Sequence, residues 1–322
     1  MLRRIIAGCF ALAVTVGPAV AQTGPGNEGA PELLSPLGAR AMALGQAVVA
    51  SSLGAESVWW NPAFIARASR GFLVGSGSGM ALVESDLNSV GVYTIPRVIS
   101  FALALRYVNY GQQEAGVDPN VPTGSFREAA YVLGATFAAP FGKRLSVGTT
   151  LKVLTVRFDC TGTCPNQPQS NPITGAVDLG AEYISTHDST ITFGAAIRSV
   201  GSKLQFNDSP QADNLPGRID VGVEVAPKLA QYPGLGLRLS TAAVTRIING
   251  FGPGFRFGGE VSWLNQYFAR GGYVLNGPTG SGPSIGGGLA AGRWRIDFAQ
   301  FLSDESAESG VRPTYVSLRY SF

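Results

Sequence analysis

The sequence predicts an all-β fold, a transmembrane antiparallel barrel of about fourteen strands with an N-terminal, partly helical plug segment. Three observations carry that prediction: a poorly charged chain without a spanning apolar run, a two-residue hydrophobic rhythm beyond Gly71, and connections that alternate between tight and long. Of the 322 residues, 45% are hydrophobic and 14% charged, against about 25% charged in an ordinary soluble domain. No internal stretch supplies the ~18 or more apolar residues that mark a spanning helix, because charges and glycines interrupt every candidate. Low charge without spanning helices leaves a large soluble β fold or a membrane barrel whose hydrophobicity is diluted by alternation.

The rhythm is explicit in several segments. Ile219, Val221, Val223 and Val225 alternate with Arg218, Asp220, Gly222 and Glu224. Ile99, Phe101, Leu103, Leu105 and Tyr107 alternate with Ser100, Ala102, Ala104 and Arg106. Side chains on a strand point to opposite faces in turn, so each segment carries one apolar and one polar face. Strands are expected near 71–78, 86–95, 98–109, 126–138, 145–156, 176–185, 190–200, 218–226, 235–247, 255–264, 267–276, 284–291, 293–301 and 312–322. Tight links such as Pro96-Arg97, Phe141–Arg144 and Asn265-Gln266 alternate with Tyr110–Ser125, Arg157–Gly175, Gly201–Gly217 and Leu302–Val311. Short turns at one end and long loops at the other characterise outer-membrane barrels, which places the chain in the bacterial outer membrane.

The N-terminus divides in two. Residues 1–21 read as a signal peptide: Leu2-Arg3-Arg4 is basic, Ile5 to Val16 is mostly apolar, and Ala19-Val20-Ala21 fits small-residue cleavage. Cys9 is then a residue of the leader's apolar core. Residues 22–70 form the plug or hatch segment, with a helix expected around Ala39–Val49 and a turn starting at Trp59-Trp60-Asn61-Pro62-Ala63, because Pro62 restricts Asn61. The barrel proper is 71–322. It ends on Thr314, Val316, Leu318, Tyr320 and Phe322 along one face, a terminal strand resembling the signal that the barrel assembly machinery reads at Phe322.

The apolar face must meet outer-membrane lipid, since Arg or Lys at the bilayer midplane of a barrel costs about 2–4 kcal/mol. The lumen is therefore expected to hold Arg106, Asp178, Glu182, Arg218, Asp220, Glu224, Arg256, Glu260, Arg295 and Asp297, together with Lys152, Arg198, Arg238, Arg270 and Arg319. Both signs occur, so they read as paired charges that hold the plug, or alternatively as a polar path. The net charge of +3 comes without a basic cluster, so no nucleic acid is expected. Cys160 and Cys164, in a turn-rich stretch of an exported chain, read as a disulfide. A metal there would need further ligands, and His187 sits in a separate turn. No metal and no cofactor are expected.

Gly38-Ala-Arg-Ala-Met-Ala-Leu-Gly45 followed by Trp60-Asn61-Pro62-Ala63 resembles the PorV/PorQ family of outer-membrane proteins, which are similar to FadL-like barrels. Leu105–Gly111, Leu145–Lys152, Val177–Tyr183, Phe193–Gly201, Leu215–Ile219 and Phe257–Glu260 extend the likeness over nearly all of the mature chain. The resemblance implies a fourteen-stranded barrel plugged by its N-terminal segment, and an apolar ligand that passes the plug or leaves sideways through the wall. Gln46 in place of a second glycine, Ser51-Ser52-Leu53 in place of an acidic stretch, and Phe64 in place of glycine depart from the pattern, all within the plug.

Two functions follow as expectations. One is passive transport of small hydrophobic molecules, with Trp59, Trp60, Asn61, Pro62 and Phe64 shaping the gate or simply packing the plug. The other is a PorV-like carrier or scaffold for exported proteins, associated with type IX secretion and acting through the long loops. An enzyme is not expected. A Ser–His pair could use only His187, and Gly286-Gly287-Gly288 lies in strand-like sequence rather than at a helix start, so it is no phosphate loop.

Overall fold

The inner face of this chain has to hold its charges and its N-terminal segment together, and the strand order shows how. The computed structural model describes residues 28–80, 83–95, 98–117, 121–165, 171–185, 191–205, 212–229, 231–248, 252–277, 280–303 and 312–322. Residues 1–21 and His187 lie outside them. The strands are β1 (Gly71–Met80), β2 (Val83–Ile95), β3 (Ile99–Ala115), β4 (Gly124–Phe141), β5 (Leu145–Gly162), β6 (Ile173–Ile184), β7 (Ile191–Gly201), β8 (Arg218–Val225), β9 (Leu235–Arg246), β10 (Gly254–Trp263), β11 (Tyr267–Gly277), β12 (Gly280–Ala291), β13 (Trp294–Phe301) and β14 (Thr314–Ser321). Each pairs antiparallel with its sequence neighbours, and β1 pairs with β14 to close the barrel. Closure removes the sheet edges that lipid could not satisfy.

Alternation decides which face is which. Leu103, Leu105, Leu133, Leu151, Val153, Leu179, Val221 and Phe257 are exposed on the outside, while Ala102, Ala104, Val132, Lys152, Asp178 and Asp220 are buried within. So large an apolar belt is a lipid surface, not a water surface. Among the described residues no helix is long and apolar enough to cross a membrane; the strands do the crossing. Aromatic rings gather at the turn end of the belt, where Phe72, Trp294, Tyr320 and Phe322 pack with centroids 4.6–6.4 Å apart.

Three expectations need correction. The segments Tyr110–Ala115, Gly124–Ser125 and Arg157–Gly162, expected as loop, are strand, because β3, β4 and β5 continue pairing past the apolar belt. There neither face meets lipid, so the sequence loses its alternation while the ladder persists. Cys160 accordingly lies within β5, and its disulfide to Cys164 spans the strand end. The two ends of the barrel are also less distinct than expected, since β1–β2 and β11–β12 close tightly at the long-loop end, at Met80–Val83 and Gly277–Gly280. Finally, the helix expected over Ala39–Val49 is a single short one, α1 (Ala39–Ala43). Gly45 and Gln46 both take positive φ, 57° and 59°, and end it.

The outward face generates a direct prediction. Leu103→Arg places a cation on the lipid side of β3 and should destabilise the barrel by about 2–4 kcal/mol, read as a lower urea midpoint in lipid vesicles. An unchanged midpoint would mean that this face does not meet hydrocarbon.

Candidate functional site: the plugged lumen

Residues 28–70 run through the lumen from the long-loop end to the turn end. Gly29 N donates to Asn214 O (2.9 Å) and Arg218 holds the Glu28 carboxylate (2.8 Å) beside the β7–β8 loop. At the other end Arg67 pairs with Glu182 (3.3 Å), and Phe322 N donates to Arg70 O (2.9 Å) at the last turn of the barrel. Between them lie 3-10 turns at Pro31–Leu33, Gly54–Trp59 and Pro62–Arg67, with α1 between the first two. These short elements suit a segment that must fill an irregular space instead of building a core of its own.

Glycines let the plug come close. A Cβ built at Gly258 on β10 would sit 2.5 Å from the Leu44 carbonyl oxygen, and one at Gly148 on β5 would sit 2.6 Å from the Pro62 carbonyl carbon. The inward positions Gly194, Gly272 and Gly286 likewise leave room for Val49, Gly45 and Ala43. A bulkier residue at any of them would push the plug backbone off the wall. Composition had shown many glycines but not this use of them. The signal was there in their placement on the polar, inward phase of the strands.

Charge fixes the plug on one side. Glu260 accepts from Arg40 Nε at 3.2 Å and Arg270 Nε at 2.6 Å, and Arg270 and Arg295 each reach Asp297 at 2.9 Å. Arg40 also donates to Ser52 O at 2.8 Å. One plug arginine is thereby built into a wall network from β10, β11 and β13. A second group of charges lies toward the long-loop half: Lys152–Asp178 at 2.5 Å, Arg198–Asp220 at 2.6 Å, Arg256–Asp220 at 3.7 Å, and Arg106 with Asp86. Glu224 pairs with Arg238 at 2.9 Å. Buried charges are tolerable when paired in this way.

Of the five plug residues singled out in sequence, Trp60 and Asn61 are the most tied. Trp60 donates its indole N–H to Leu37 O (3.0 Å), and the Arg198 and Arg256 guanidiniums both lie over its ring, 5.2 and 5.9 Å from the centroid. Asn61 donates to Val49 O (2.7 Å) and to the wall carbonyl of Ala181 (3.1 Å), and its Oδ1 caps the following turn at Ala63 N. Pro62 opens that turn in the position where a missing N–H costs nothing. Phe64 is buried. Trp59 lies with Lys152 over its ring at 6.0 Å, and its indole N–H has no hydrogen-bond partner among the described residues. Around these tryptophans, Leu33, Leu37, Val132 and the cations Arg106, Lys152, Arg198, Arg218 and Arg256 enclose a cavity of about 30 Å³.

The remaining wall is chemically different. On β2 to β5 the inward positions include Val90, Val92, Ala102, Ala104, Val108, Ala130, Val132, Leu154 and Val156, all buried and part of one apolar cluster with the plug. The turn Pro62–Arg67 packs on β3 to β6, whereas α1 packs on β11 to β14. The lumen thus has an apolar patch inside β2 to β5, interleaved with Asp86, Arg106 and Lys152, and a sector dense in charge on β10 to β13. The sequence reading caught the charges and passed over the small apolar residues that share their phase.

Glu56 is the plug's own buried acid. Its Oε1 accepts from Ala41 N at 3.0 Å. Burial pushes the carboxyl up to about 7, with Asp297 adding to the rise and the Ala41 hydrogen bond, Arg40 and Arg319 opposing it.

No family model matches the chain, and no curated protein matches it in sequence. Solved structures do share its fold. The toluene transporter TbuX of Ralstonia pickettii aligns with a TM-score of 0.61 and 14% identity, over 90% of this chain and 99% of that one. The toluene transporter TodX of P. putida aligns at 0.59 and 13% identity, over 90% and 99%. A FadL homologue of Pseudomonas aeruginosa aligns at 0.53 and 12% identity, over 87% and 98%.

A carboxyl whose value rises on folding favours the docked plug below its unfolded value and loses that advantage as pH climbs to the folded one. The contribution of Glu56 to plug docking is therefore expected to be strongest below about 4.5 and to weaken toward about 7. Glu56→Gln should flatten this slope. Urea midpoints followed by tryptophan fluorescence across that range provide the check, and an equal slope in the variant would remove Glu56 from the explanation.

Proposed function

We propose that this chain is a bacterial outer-membrane channel for the passive passage of small hydrophobic molecules. The observation that carries this reading is the apolar sector inside β2 to β5. A barrel that passed only water-soluble solutes has no use for a patch of Val, Ala and Leu on its inner wall, whereas a hydrophobic passenger gains from it by about 25 cal/mol for each Å² it buries. Barrels of like fold described as toluene transporters and as a monoaromatic hydrocarbon channel support transport over an enzyme, and over a secretion carrier acting through the loops. The order of motifs around Gly38–Gly45 and Asn61-Pro62-Ala63 supports a PorV/PorQ-type member among FadL-like barrels. The signal-like residues 1–21 and the terminal Phe322 support export and barrel assembly.

The plug in place is the closed state. A cavity of about 30 Å³ holds a water or two, while an aromatic ring the size of benzene needs about 150 Å³. Passage therefore requires the plug to move, with Trp59, Trp60, Asn61, Pro62 and Phe64 as the gate. Trp59, whose indole N–H has no partner among the described residues, can leave without breaking a side-chain hydrogen bond, as can Pro62 and Phe64.

Uptake of radiolabelled toluene into cells tests the proposal. Expression of the chain in a host without hydrocarbon channels should raise the initial rate severalfold. Val132→Asn, which puts an amide on the apolar sector, should lower it while the protein still shows the heat-dependent gel shift of a folded barrel. A rate indifferent to expression would sink the transport reading.

A further inference from the structure

A second cavity, about 240 Å³, lies at the turn end beneath the plug, against the β1–β14 seam. Arg40, Arg67 and Arg319 all line it, with the hydroxyls of Ser52 and Ser69. Two of these arginines are committed elsewhere. Arg40 is spent on Glu260 (3.2 Å) and Arg67 on Glu182 (3.3 Å). Arg319 is not. Among the described residues no carboxylate comes within 4 Å of it, and Nη1 makes a long bond of 3.3 Å to the Leu53 carbonyl. Asp297, on the neighbouring strand, is taken by Arg270 and Arg295. A partly buried guanidinium without a carboxylate, at the wall of a cavity, is an oxyanion receptor by geometry and charge.

The approach to the cavity has the same sign. The turns at this end carry Lys143, Arg144, Lys228 and Arg293 and, among the described residues, no acid. Such a rim raises the local concentration of anions at the mouth.

We propose that the turn-end cavity is a binding site for a small polar molecule bearing one oxyanion group, a phosphate or carboxylate held by Arg319. Its hydroxylated body sits against Ser52 and Ser69. The ligand comes from the periplasm and not from the bilayer, because Arg319 occupies the inward phase of β14, opposite in phase to the exposed Leu318. The volume excludes long acyl chains. This site is separate from the hydrocarbon path and does not depend on that path existing.

Calorimetric titration of the purified full-length barrel in non-ionic detergent tests it, with glycerol 3-phosphate as the probe and glycerol as its neutral counterpart. Saturable binding of glycerol 3-phosphate is expected, with none for glycerol. Arg319→Gln should weaken it at least tenfold, and Arg319→Lys should weaken it less, since charge survives but the fork does not. Ser69→Glu, an exposed substitution beside the same cavity, should abolish binding without touching the fold and covers the case in which Arg319→Gln does not fold. Absence of saturable binding, or equal binding by the Arg319→Gln and Ser69→Glu variants, would overturn the proposal. Because no uptake is measured, either result leaves the transport reading where it stands.

Discussion

Every charged side chain on this wall within the apolar belt has one permitted direction. The hydrocarbon outside has no water to receive an ion, so the strands must send Arg, Lys, Asp and Glu inward. The lumen then collects charge in a space of low dielectric, where a lone ion is costly and a paired one is tolerable. From this constraint the rest of the arrangement follows. Acids and bases on adjacent strands are set opposite one another, as in Glu260↔Arg270 on β10 and β11, and a plug arginine, Arg40, completes the network instead of merely resting on it.

Once the plug is part of the charge balance, it also has to fit. The strands supply room by omission. Inward glycines admit plug backbone where any side chain would hold it away, and the plug answers with small or kinked elements in place of a long helix. Its left-handed Gly45 and Gln46 turn the chain at the place where Gly258 and Gly272 let it approach. Wall and plug are therefore shaped by the same residues, and neither is complete without the other.

The sequence made most of this architecture readable because lipid on one face and a charged lumen on the other impose a strict period of two. Where that double constraint held, strand positions could be found within a few residues. Where it lapsed, they could not. Gln112, Gln113 and Glu114 pair with Phe126 and its neighbours above the apolar belt, yet nothing in their polarity distinguishes a strand there from a loop. The short length of α1 was hidden because alanine and leucine favour a helix that Gly45 cuts off. The pairing of Cys160 with Cys164 was legible from spacing and compartment. The two-sector lumen was not, since a binary contrast of polar and apolar faces treats Ala102, Ala104 and Val132 as background once Arg106 has labelled the strand. Nor could the lone Arg319 be told from its paired neighbours, because only the positions of Glu260 and Asp297 show which arginines have already been answered.

The division of the lumen also bears on how a plug can hold and still yield. Separating Arg40 from Glu260 strands the buried Arg40 guanidinium, a cost of about 3–5 kcal/mol, while Glu260 keeps Arg270. Lifting the Pro62–Arg67 turn from the Val and Ala lining of β3 to β5 breaks the half-exposed Arg67–Glu182 pair and otherwise exposes apolar area, a cost that an apolar passenger covering the same surface offsets. Under the transport reading, the plug is hinged on its charged side and displaceable on its apolar side. A hydrocarbon would then lower the cost of its own opening, while water or an ion, unable to replace the lost contacts, would meet the plug shut.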